Sequence, residues 1–407
     1  MKPGWRTKQL GELAELKGRI GWRGLTAKEY TKNGPLFLSV HSLNYGDYVD
    51  FRDAFHISEE RYEESPEIML QKNDVLICKD GAGIGKLGII RDLPDKATIN
   101  SSLLLIRSGK EILPKFLYHC LSSPYFQNIV NSRLNGATTP HLYQRDIAEF
   151  PVVLPPFPEQ QRIVAILDEA FAGIATAKAN TEKNLQNARD IFESHLNDVF
   201  SKNCKEWVKK PLENVASILN GYAFKSQDFS TKSGVKCIKI TNVGVREFIS
   251  NFDDYLPDSF AELYEKVSVK KDSIVLALTR TIIAGGLKIA VVPEHCNGAL
   301  LNQRVASIVA NAKDLSSAFL FAYLSTQMVV DYVKSRVNTL LQPNLSITDL
   351  RAMPIPVPPR CEQNQITDQL GSLYVEIQNL VSLCEQKIVM LDELKKSLLH
   401  QAFSGEL

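Results

Sequence analysis

Residues 139–163 read TPHLYQRDIAEFPVVLPPFPEQQRI, and residues 342–366 read QPNLSITDLRAMPIPVPPRCEQNQI. The two stretches match at a constant spacing of 203 positions, which pairs Pro140 with Pro343. The same spacing continues without a gap past Phe200. The chain therefore contains an internal repeat, and both copies are expected to adopt the same fold.

The regions that precede the two matched stretches correspond only loosely. Trp5 pairs with Trp207 and Asp74 with Asp272, at spacings that drift between about 198 and 202. Each copy thus has a divergent part followed by a well-matched part. We predict a first divergent domain, a first long helix, a second divergent domain and a second long helix, at residues 1–156, 157–203, 204–357 and 358–407.

Each matched part continues as a predicted long helix. Pro158 and Glu159 suit a first helical turn, because proline has no amide hydrogen to lose there and an acid meets the positive end of the helix dipole. Residues spaced alternately by three and four then predict a coiled-coil seam of roughly 60 Å. They are Leu167, Ala170, Ile174, Ala177, Thr181, Asn184, Ala188 and Ile191, and Leu370, Leu373, Ile377, Leu380, Cys384, Lys387, Leu391, Leu394 and Leu398.

Two such helices in one chain favour antiparallel packing on each other over separate packing of each helix on its own domain. Thr181, Asn184 and Lys387 are polar positions of the predicted seam. They could fix the register, face a partner subunit or lie at the solvent edge, and the last reading is favoured for Lys387.

The divergent parts predict a mixed α/β fold. Short apolar runs predict strands at 74–78, 87–90, 274–278 and 289–292. Helical patterns cover 114–121 and 315–332.

Composition excludes several protein classes. Hydrophobic residues make up 44% and charged residues 23% of 407 residues, so extensive disorder is not expected. Seven scattered cysteines without a Cys-x-x-Cys pair argue against a disulfide framework and a zinc site. With no signal peptide and no long apolar run, we expect a cytoplasmic protein without a membrane span. The net charge of +1 excludes a strongly basic chain but is compatible with local basic patches.

Two motifs resemble catalytic sequences. The loop from Gly81 to Lys86 follows a predicted strand and resembles a P-loop. A P-loop has four residues between its first glycine and Gly-Lys, followed by Ser or Thr, whereas this loop has three and is followed by Leu87. A tight turn is therefore favoured over a nucleotide site. Leu154-Pro155-Pro156-Phe157 lacks the polar first residue that holds a target amine in amino-methyltransferases. No carboxylate, histidine or cysteine pattern indicates catalysis or metal binding.

Polar and basic side chains in predicted loops are the remaining candidates. Arg, Lys, Asn and Gln clasp phosphates and read base edges of DNA. The DNA-binding candidates are Arg19, Arg23, His41, Lys79, Lys86, His141, Tyr143 and Arg145 in the first half, and Lys225, Asn242, Arg246, Arg280, Gln303, Arg304, Gln342 and Asn344 in the second.

The order of these motifs resembles a known family. Residues 155–160 and 358–363 both read Pro-Pro-x-x-Glu-Gln, residues 220–229 read NGYAFKSQDF, and Phe-Ser closes each helix at 200–201 and 403–404. The arrangement is similar to that of type I restriction–modification specificity subunits. Residues 17–23, KGRIGWR, depart from the NGYAFKS pattern, which weakens the transfer of residue roles to the first half.

The resemblance implies two globular target-recognition domains, separated by two long antiparallel helices with internal pseudo-two-fold symmetry. Each domain would read one half of a split double-stranded DNA target. The chain would bind no cofactor and catalyse nothing. Two methyltransferase subunits, which carry S-adenosylmethionine, and motor–nuclease subunits would join it.

Two other functions remain as alternatives. A self-contained restriction or modification enzyme would need the catalytic motifs that the sequence lacks. A coiled-coil scaffold would show no sequence-selective DNA binding in the presence of a methyltransferase partner. A neighbouring gene for a methyltransferase with an Asn-Pro-Pro-Phe motif would favour the DNA-reading role.

Overall fold

The computed structural model describes residues 3–19, 25–134, 141–203, 206–229, 233–336 and 344–407. The chain groups into two compact units. Unit 1 comprises Met1–Glu182 with Glu385–Leu407, and unit 2 comprises Lys183–Cys384. Each unit combines one divergent part with segments of both long helices.

The α-helices of the described residues are α1 (Leu10–Leu13), α2 (Glu59–Glu63), α3 (Pro114–Ser122), α4 (Pro124–Leu134), α5 (Gln144–Ala148), α6 (Phe157–Asn203), α7 (Leu212–Val215), α8 (Phe260–Leu263), α9 (Ser317–Leu324), α10 (Gln327–Arg336), α11 (Ile347–Arg351) and α12 (Arg360–Ser404). The strands of unit 1 are β1 (Arg6–Gln9), β2 (Ala14–Gly18), β3 (Thr31–Leu38), β4 (Phe55–His56), β5 (Val75–Cys78), β6 (Leu87–Ile89), β7 (Ala97–Ile99), β8 (Leu103–Ser108) and β9 (Pro151–Leu154). Those of unit 2 are β10 (Val208–Pro211), β11 (Ala216–Asn220), β12 (Cys237–Ile238), β13 (Ile274–Ala277), β14 (Ile282–Ile283), β15 (Gly286–Leu287), β16 (Ile289–Val291), β17 (Leu300–Leu301), β18 (Val305–Ala310) and β19 (Pro354–Val357).

Both units are built on the same antiparallel sheet. The strand order is β2-β8-β5-β6 in unit 1 and β11-β18-β13-β16 in unit 2. The pairs β1–β9 and β10–β19 are also antiparallel, and β9 and β19 lead into the long helices. The four strands predicted from apolar runs are therefore confirmed, as is the mixed α/β class.

The central strands are apolar throughout because both faces of the sheet are covered. In β5, Val75 and Ile77 pack into a core that includes Phe116, whereas Leu76 and Cys78 pack into a second core on the other face. Alternate side chains of a strand point to opposite faces, so a strand covered on both sides has no polar positions. In β13, Ile274 and Leu276 face one core and Val275 and Ala277 face another in the same way.

The Pro-Pro-x-x-Glu-Gln motif is explained by its last residue. Gln160 is buried; its Nε2 donates to the carbonyls of Glu111 (2.9 Å) and Pro155 (3.0 Å), and its Oε1 accepts from the amide of Leu113 (2.8 Å). Gln363 repeats these bonds with Asp314 (2.8 Å), Pro358 (2.9 Å) and Ser316 (2.9 Å). One side chain thus fixes the start of each long helix to its own domain.

The long helices run antiparallel within each unit. In unit 1, Arg162 Nη2 donates to the main-chain oxygen of Leu407 (2.7 Å), and Lys178 Nζ lies 2.9 Å from Asp392 Oδ1. Residue numbers therefore rise along α6 in the direction in which they fall along α12. In unit 2 the rings of Phe192 and Tyr374 are 5.4 Å apart. The predicted antiparallel coiled coil is confirmed.

The predicted seam is wrong in part of its register. Ile191, Leu380 and Leu394 are exposed, whereas α6 buries Ala188, Leu196 and Phe200, which are eight and then four residues apart. The reason is that this end of α6 also packs on its domain, where Phe200 contacts Phe319, with ring centroids 5.4 Å apart. Among the polar seam positions, Thr181 is buried and Asn184 and Lys387 are exposed.

The helical pattern predicted over 315–332 is confirmed, but it is divided between α9, which ends at Leu324, and α10, which begins at Gln327. The hydroxyls of Ser325 and Thr326 donate to the carbonyls of Phe321 and Tyr323, and such local bonds compete with helix continuation. The helix predicted over 114–121 is confirmed as α3.

Candidate nucleic-acid interface

Two chain segments meet at the end of β5 in unit 1. The amide of Lys79 donates to the carbonyl of Ser102 (2.8 Å), and the amide of Leu142 donates to the carbonyl of Lys79 (2.9 Å). Asp80 and His141 form an isolated bridge beside them. We call residues 79–86 with 141–145 junction 1.

The side chains of junction 1 are polar and partly exposed. Lys79 Nζ lies 3.2 Å from the carboxylate of Asp80, which also bonds the ring of His141. The ring of Tyr143 lies 4.5 Å from that of His141 and is 61% exposed, and Arg145 is exposed on α5. The junction therefore presents cations and hydrogen-bonding groups to solvent.

The glycine-rich loop of junction 1 is a tight turn between strands. Gly81 and Gly85 have φ angles of 80° and 84°, which favour glycine, and a β-carbon on Gly83 would lie 2.4 Å from Val40 Cγ2. The loop leads into strand β6, whereas a phosphate-binding loop needs a helix amino terminus at this position.

His41 and Lys86 are brought to the same loop. His41 is exposed on the one-turn helix Val40–Leu43, which lies against Gly83. Lys86 Nζ donates to Asn44 Oδ1 (2.6 Å), just beyond that turn.

Unit 2 builds an equivalent junction with different side chains. The amide of Leu278 donates to the carbonyl of Arg304 (2.8 Å), and the amide of Leu345 donates to the carbonyl of Leu278 (2.8 Å). Thr279 and Asn344 form the bridge that Asp80 and His141 form in unit 1. We call residues 278–281, 302–304 and 344–345 junction 2.

Junction 2 is basic and contains a strained residue. Arg280 is exposed at φ 49°, a conformation that costs a non-glycine residue about 1–3 kcal/mol and clusters at functional sites. Burial lowers the pKa of Lys288, and the nearby charge of Arg280 lowers it further. Gln303 and Arg304 are exposed beside them. Four sequence candidates, Arg280, Gln303, Arg304 and Asn344, are thus brought together.

Tyr222 was missed by sequence reasoning. The carbonyl of Tyr222 accepts from the amide of Gln303 (2.9 Å), and its ring is 46% exposed and lies 4.7 Å from that of Tyr264. An aromatic residue in the NGYAFKS stretch was the available signal for Tyr222. Lys225 is exposed three residues later, and its amide donates to Asp228 (2.9 Å).

Three candidates lie away from the junctions. Arg19 is 4% exposed and donates to the carbonyl of Ile99 (3.0 Å), and Asn242 is 2% exposed with both amide hydrogens on main-chain carbonyls. Arg246 pairs with Glu193 on α6. We leave these three out of the proposed interface, because their polar groups are used inside the fold. Arg23 and Gln342 lie outside the described residues.

Comparison with known proteins decides the family. The model of the type I restriction modification DNA specificity domain matches residues 2–187 and again 204–381. The chain belongs to this family. As a specificity subunit it recognises DNA sequence and is not the catalytic subunit, and its two divergent parts are target-recognition domains.

Individual relatives agree with this assignment. The specificity subunit is 27% identical to that of the MjaVIII type I restriction enzyme of Methanocaldococcus jannaschii, over 84% of this chain and 80% of the relative. It is 21% identical to the EcoKI specificity subunit of Escherichia coli K12, over 99% and 89%.

Solved structures share the fold of the specificity subunit. A chain from a study of complex assembly and conformational transition of the type I R-M system superposes with a TM-score of 0.77 at 17% identity, covering 100% of this chain and 99% of that one. The HsdS subunit from Thermoanaerobacter tengcongensis gives 0.57 at 16% identity, covering 100% and 98%.

Within the part of the chain that the structure describes, no cluster of three or more His, Cys, Asp or Glu side chains is arranged to hold a metal ion. Among the helices described, none combines the length and the hydropathy that a membrane span requires.

Proposed function

We propose that this specificity subunit reads a split double-stranded DNA target, with junction 1 at one half-site and junction 2 at the other. The main-chain bonds that build the two junctions are equivalent, whereas their exposed side chains differ. Leu142 to Lys79 and Leu345 to Leu278 are the matching bonds. Equivalent frames with different side chains suit one protein that reads two different base sequences.

Junction 2 provides the groups that suit base reading. The guanidinium of arginine bonds guanine bidentately, and the amide of glutamine or asparagine bonds adenine in the same way. Arg280, Arg304, Gln303 and Asn344 supply these groups, and all four are exposed. Gln342 belongs to the same proposal by its position in the sequence. In junction 1, Lys79, Lys86, His141, Tyr143 and Arg145, together with His41, would contact bases and phosphates.

The partners follow from the family. We propose that the subunit acts in the cytoplasm and recruits adenine methyltransferase subunits, two per chain, which supply S-adenosylmethionine, together with motor–nuclease subunits. In this proposal the specificity subunit itself holds no cofactor. Two similar units suit two copies of one partner, because equivalent surfaces can bind equivalent subunits.

Methylome sequencing tests the proposal. A host that expresses the subunit with its neighbouring methyltransferase should carry a split adenine-methylated motif, and deletion of the subunit should remove that motif. Exchange of residues 1–156 for the corresponding domain of a relative should change one half of the motif only. Absence of any motif, despite a folded complex, would instead support the scaffold function.

A further inference from the structure

Junction 1 contains a carboxylate to which the DNA-reading role assigns nothing. Asp80 lies just beyond the end of β5, where it forms the isolated bridge with His141. The phosphates of DNA repel a carboxylate, so an acid at a DNA interface is unfavourable unless it does something else there. The contacts of Asp80 within junction 1 show what it does.

Both carboxylate oxygens of Asp80 are directed at neighbouring side chains. Oδ1 bonds Nδ1 of His141, and Oδ2 lies 3.2 Å from Nζ of Lys79. The positive charge of Lys79 balances that of the carboxylate, so the pair places no net negative charge beside DNA. Any effect of Asp80 on DNA therefore passes through these two neighbours.

The bond to Asp80 decides which ring nitrogen of His141 carries the hydrogen. An ionised carboxylate can only accept hydrogen bonds, so Nδ1 is the donor. In a neutral imidazole the other nitrogen, Nε2, is then an acceptor. Since Lys79 already balances the charge of Asp80, the ring needs no second proton to complete the ion pair.

The acceptor on His141 is free to meet a ligand. The side chain is 32% exposed, and Nε2 has no hydrogen-bond partner among the residues that the structure describes. Buried polar atoms without a partner in that part of the chain include Nδ1 of His119 but not Nε2 of His141. The ring of Tyr143 lies 4.5 Å away in an edge-to-face contact, so Asp80 and Tyr143 together fix the orientation of the imidazole.

Unit 2 shows why an acid is needed beside a histidine in particular. The residues at the positions of Lys79, Asp80 and His141 in junction 2 are Leu278, Thr279 and Asn344. The side-chain amide of Asn344 has a fixed acceptor oxygen and a fixed donor nitrogen, whereas the two nitrogens of an imidazole can exchange roles. An asparagine thus needs no partner to define its hydrogen-bonding pattern, and junction 2 has neither the acid nor the cation.

A hydrogen-bond acceptor distinguishes bases by their amino groups. In the major groove, adenine and cytosine each present an exocyclic amino group, which donates, whereas guanine presents O6 and thymine presents O4, which accept. An acceptor at Nε2 of His141 is therefore complementary to adenine or cytosine and opposed to guanine or thymine.

We propose that Asp80 is a positioning residue that holds His141 with Nε2 as an acceptor, so that junction 1 reads the exocyclic amino group of an adenine or a cytosine at one base pair. This inference rests on the proposed DNA-reading function and adds the chemistry of one contact to it. Asp80 itself does not touch the base.

The test uses the full chain in complex with its methyltransferase and duplexes that carry the methylated motif. Each adenine of the half-site read by junction 1 is replaced in turn by purine, and each cytosine by 2-pyrimidinone, because these bases lack the amino group. At one base pair the replacement should raise the dissociation constant about five- to tenfold in the native complex. In His141→Ala the same replacement should have almost no effect, since the acceptor is already gone. A position sensitive to purine identifies adenine, and one sensitive to 2-pyrimidinone identifies cytosine.

Two further variants separate positioning from a general structural role. Asp80→Ala should remove the dependence on that amino group as His141→Ala does, although the histidine is still present. Its selectivity for the half-site read by junction 2 should be retained, which shows that the variant is folded. Asn344→Ala is the matched control in junction 2, and it should keep the dependence on the amino group in the other half-site.

Different failures have different meanings. Full dependence on the amino group in Asp80→Ala would overturn the positioning role of Asp80. If His141→Ala weakens binding of every duplex equally, His141 contacts phosphate and the inference is wrong, while the DNA-reading function stands. Equal binding of the motif and of unrelated duplexes by the native complex would overturn the DNA-reading function together with this inference.

Discussion

Both units join a loop to a long helix through an ion pair, but the acid and the base have exchanged places. In unit 1, Asp47 from a loop pairs with Lys395 on α12 (3.1 Å), and in unit 2 Arg246 from the corresponding loop pairs with Glu193 on α6. The loop-to-helix ion pair is retained, but its polarity is reversed.

The aromatic contact beside this ion pair differs as well. Lys395 Nζ lies 4.8 Å from the ring centroid of Phe171, whereas the counterparts of these residues, Phe192 and Tyr374, form an aromatic pair. Backbone hydrogen bonds and core positions are therefore held in common, while the side chains where helix meets loop have diverged. In unit 1, Lys115 and His119 both contact Asp168, whereas the residues at the same positions of unit 2 are the small Ala318, Ala322 and Gly371.

The largest loss of stability is expected at the buried glutamine that makes the same hydrogen bonds in both units. Gln160→Leu and Gln363→Leu should each lower the free energy of unfolding of their own unit by about 3–5 kcal/mol, because one main-chain amide and two carbonyls lose their buried partner. Urea denaturation with hydrogen exchange resolved by unit measures both.

The neighbouring exposed glutamines supply the controls for this prediction. Gln161→Leu and Gln365→Leu change the same side chain at solvent-facing positions and should have little effect. A large loss in one unit and none in the other would contradict the equivalence of the two helix starts.

The junctions should differ in what they read. Arg280→Ala should cost about 1–3 kcal/mol in discrimination at one base pair and relax one half of the methylated motif only. His141→Ala should affect the other half. Methylome sequencing of each variant measures this.

An exposed cation far from junction 2 provides the comparison for Arg280. Lys313 follows the opposite end of β18, and Lys313→Ala should leave the motif intact. If Arg280→Ala weakens methylation of every sequence equally, Arg280 binds phosphate and reads no base.

The two helix glycines should respond alike to alanine. Gly371→Ala and Gly173→Ala should each raise the free energy of unfolding by about 1 kcal/mol, because both sites have open space and alanine favours the helix. Chemical denaturation measures the gain. A loss at Gly371 alone would show that the surroundings of Gly371 cannot accept a methyl group.

The smallest expected effect is on the stability of unit 1 at acidic pH. Burial works to raise the pKa of Asp168, but hydrogen bonds from His119 and Lys115 outweigh it and hold the pKa below the usual value. A lowered carboxyl pKa stabilises the fold above the unfolded pKa, and that contribution is lost as the pH falls below about 4.

Asp168→Asn should remove this part of the acid sensitivity of unit 1. The change should be below about 1 kcal/mol, since the pair is about one-third exposed. Denaturation midpoints at several pH values measure it, with unit 2, which has Gly371 at this position, as the internal reference. If Asp168→Asn leaves the pH dependence of unit 1 stability unchanged below about pH 4, the ion pair contributes nothing to stability.

Much of the candidate site followed from the chain itself. The sequence predicts Lys79, Lys86 and His141 as candidates in the first half, and Arg280 with Asn344 in the second, because they are polar or basic side chains in predicted loops. Their contact with DNA stays a prediction. Arg19 was misplaced, because its residue type suits DNA contact while its burial depends on β7 and on Ser65, which are distant in sequence.

The sequence by itself determined the repeat, the two long helices, the mixed α/β class and the family, because periodicity, proline placement and motif order are local properties. Only the tertiary structure decided the seam register beyond Ala188, the burial of Arg19 and Asn242, and the cavity that Arg246, Ala318 and Gly371 line. These depend on which residues meet across distances of tens to hundreds of positions. The sequence pattern around small residues such as Ala318 and Gly371 does not predict what surrounds them, and only the tertiary structure shows the space beside them.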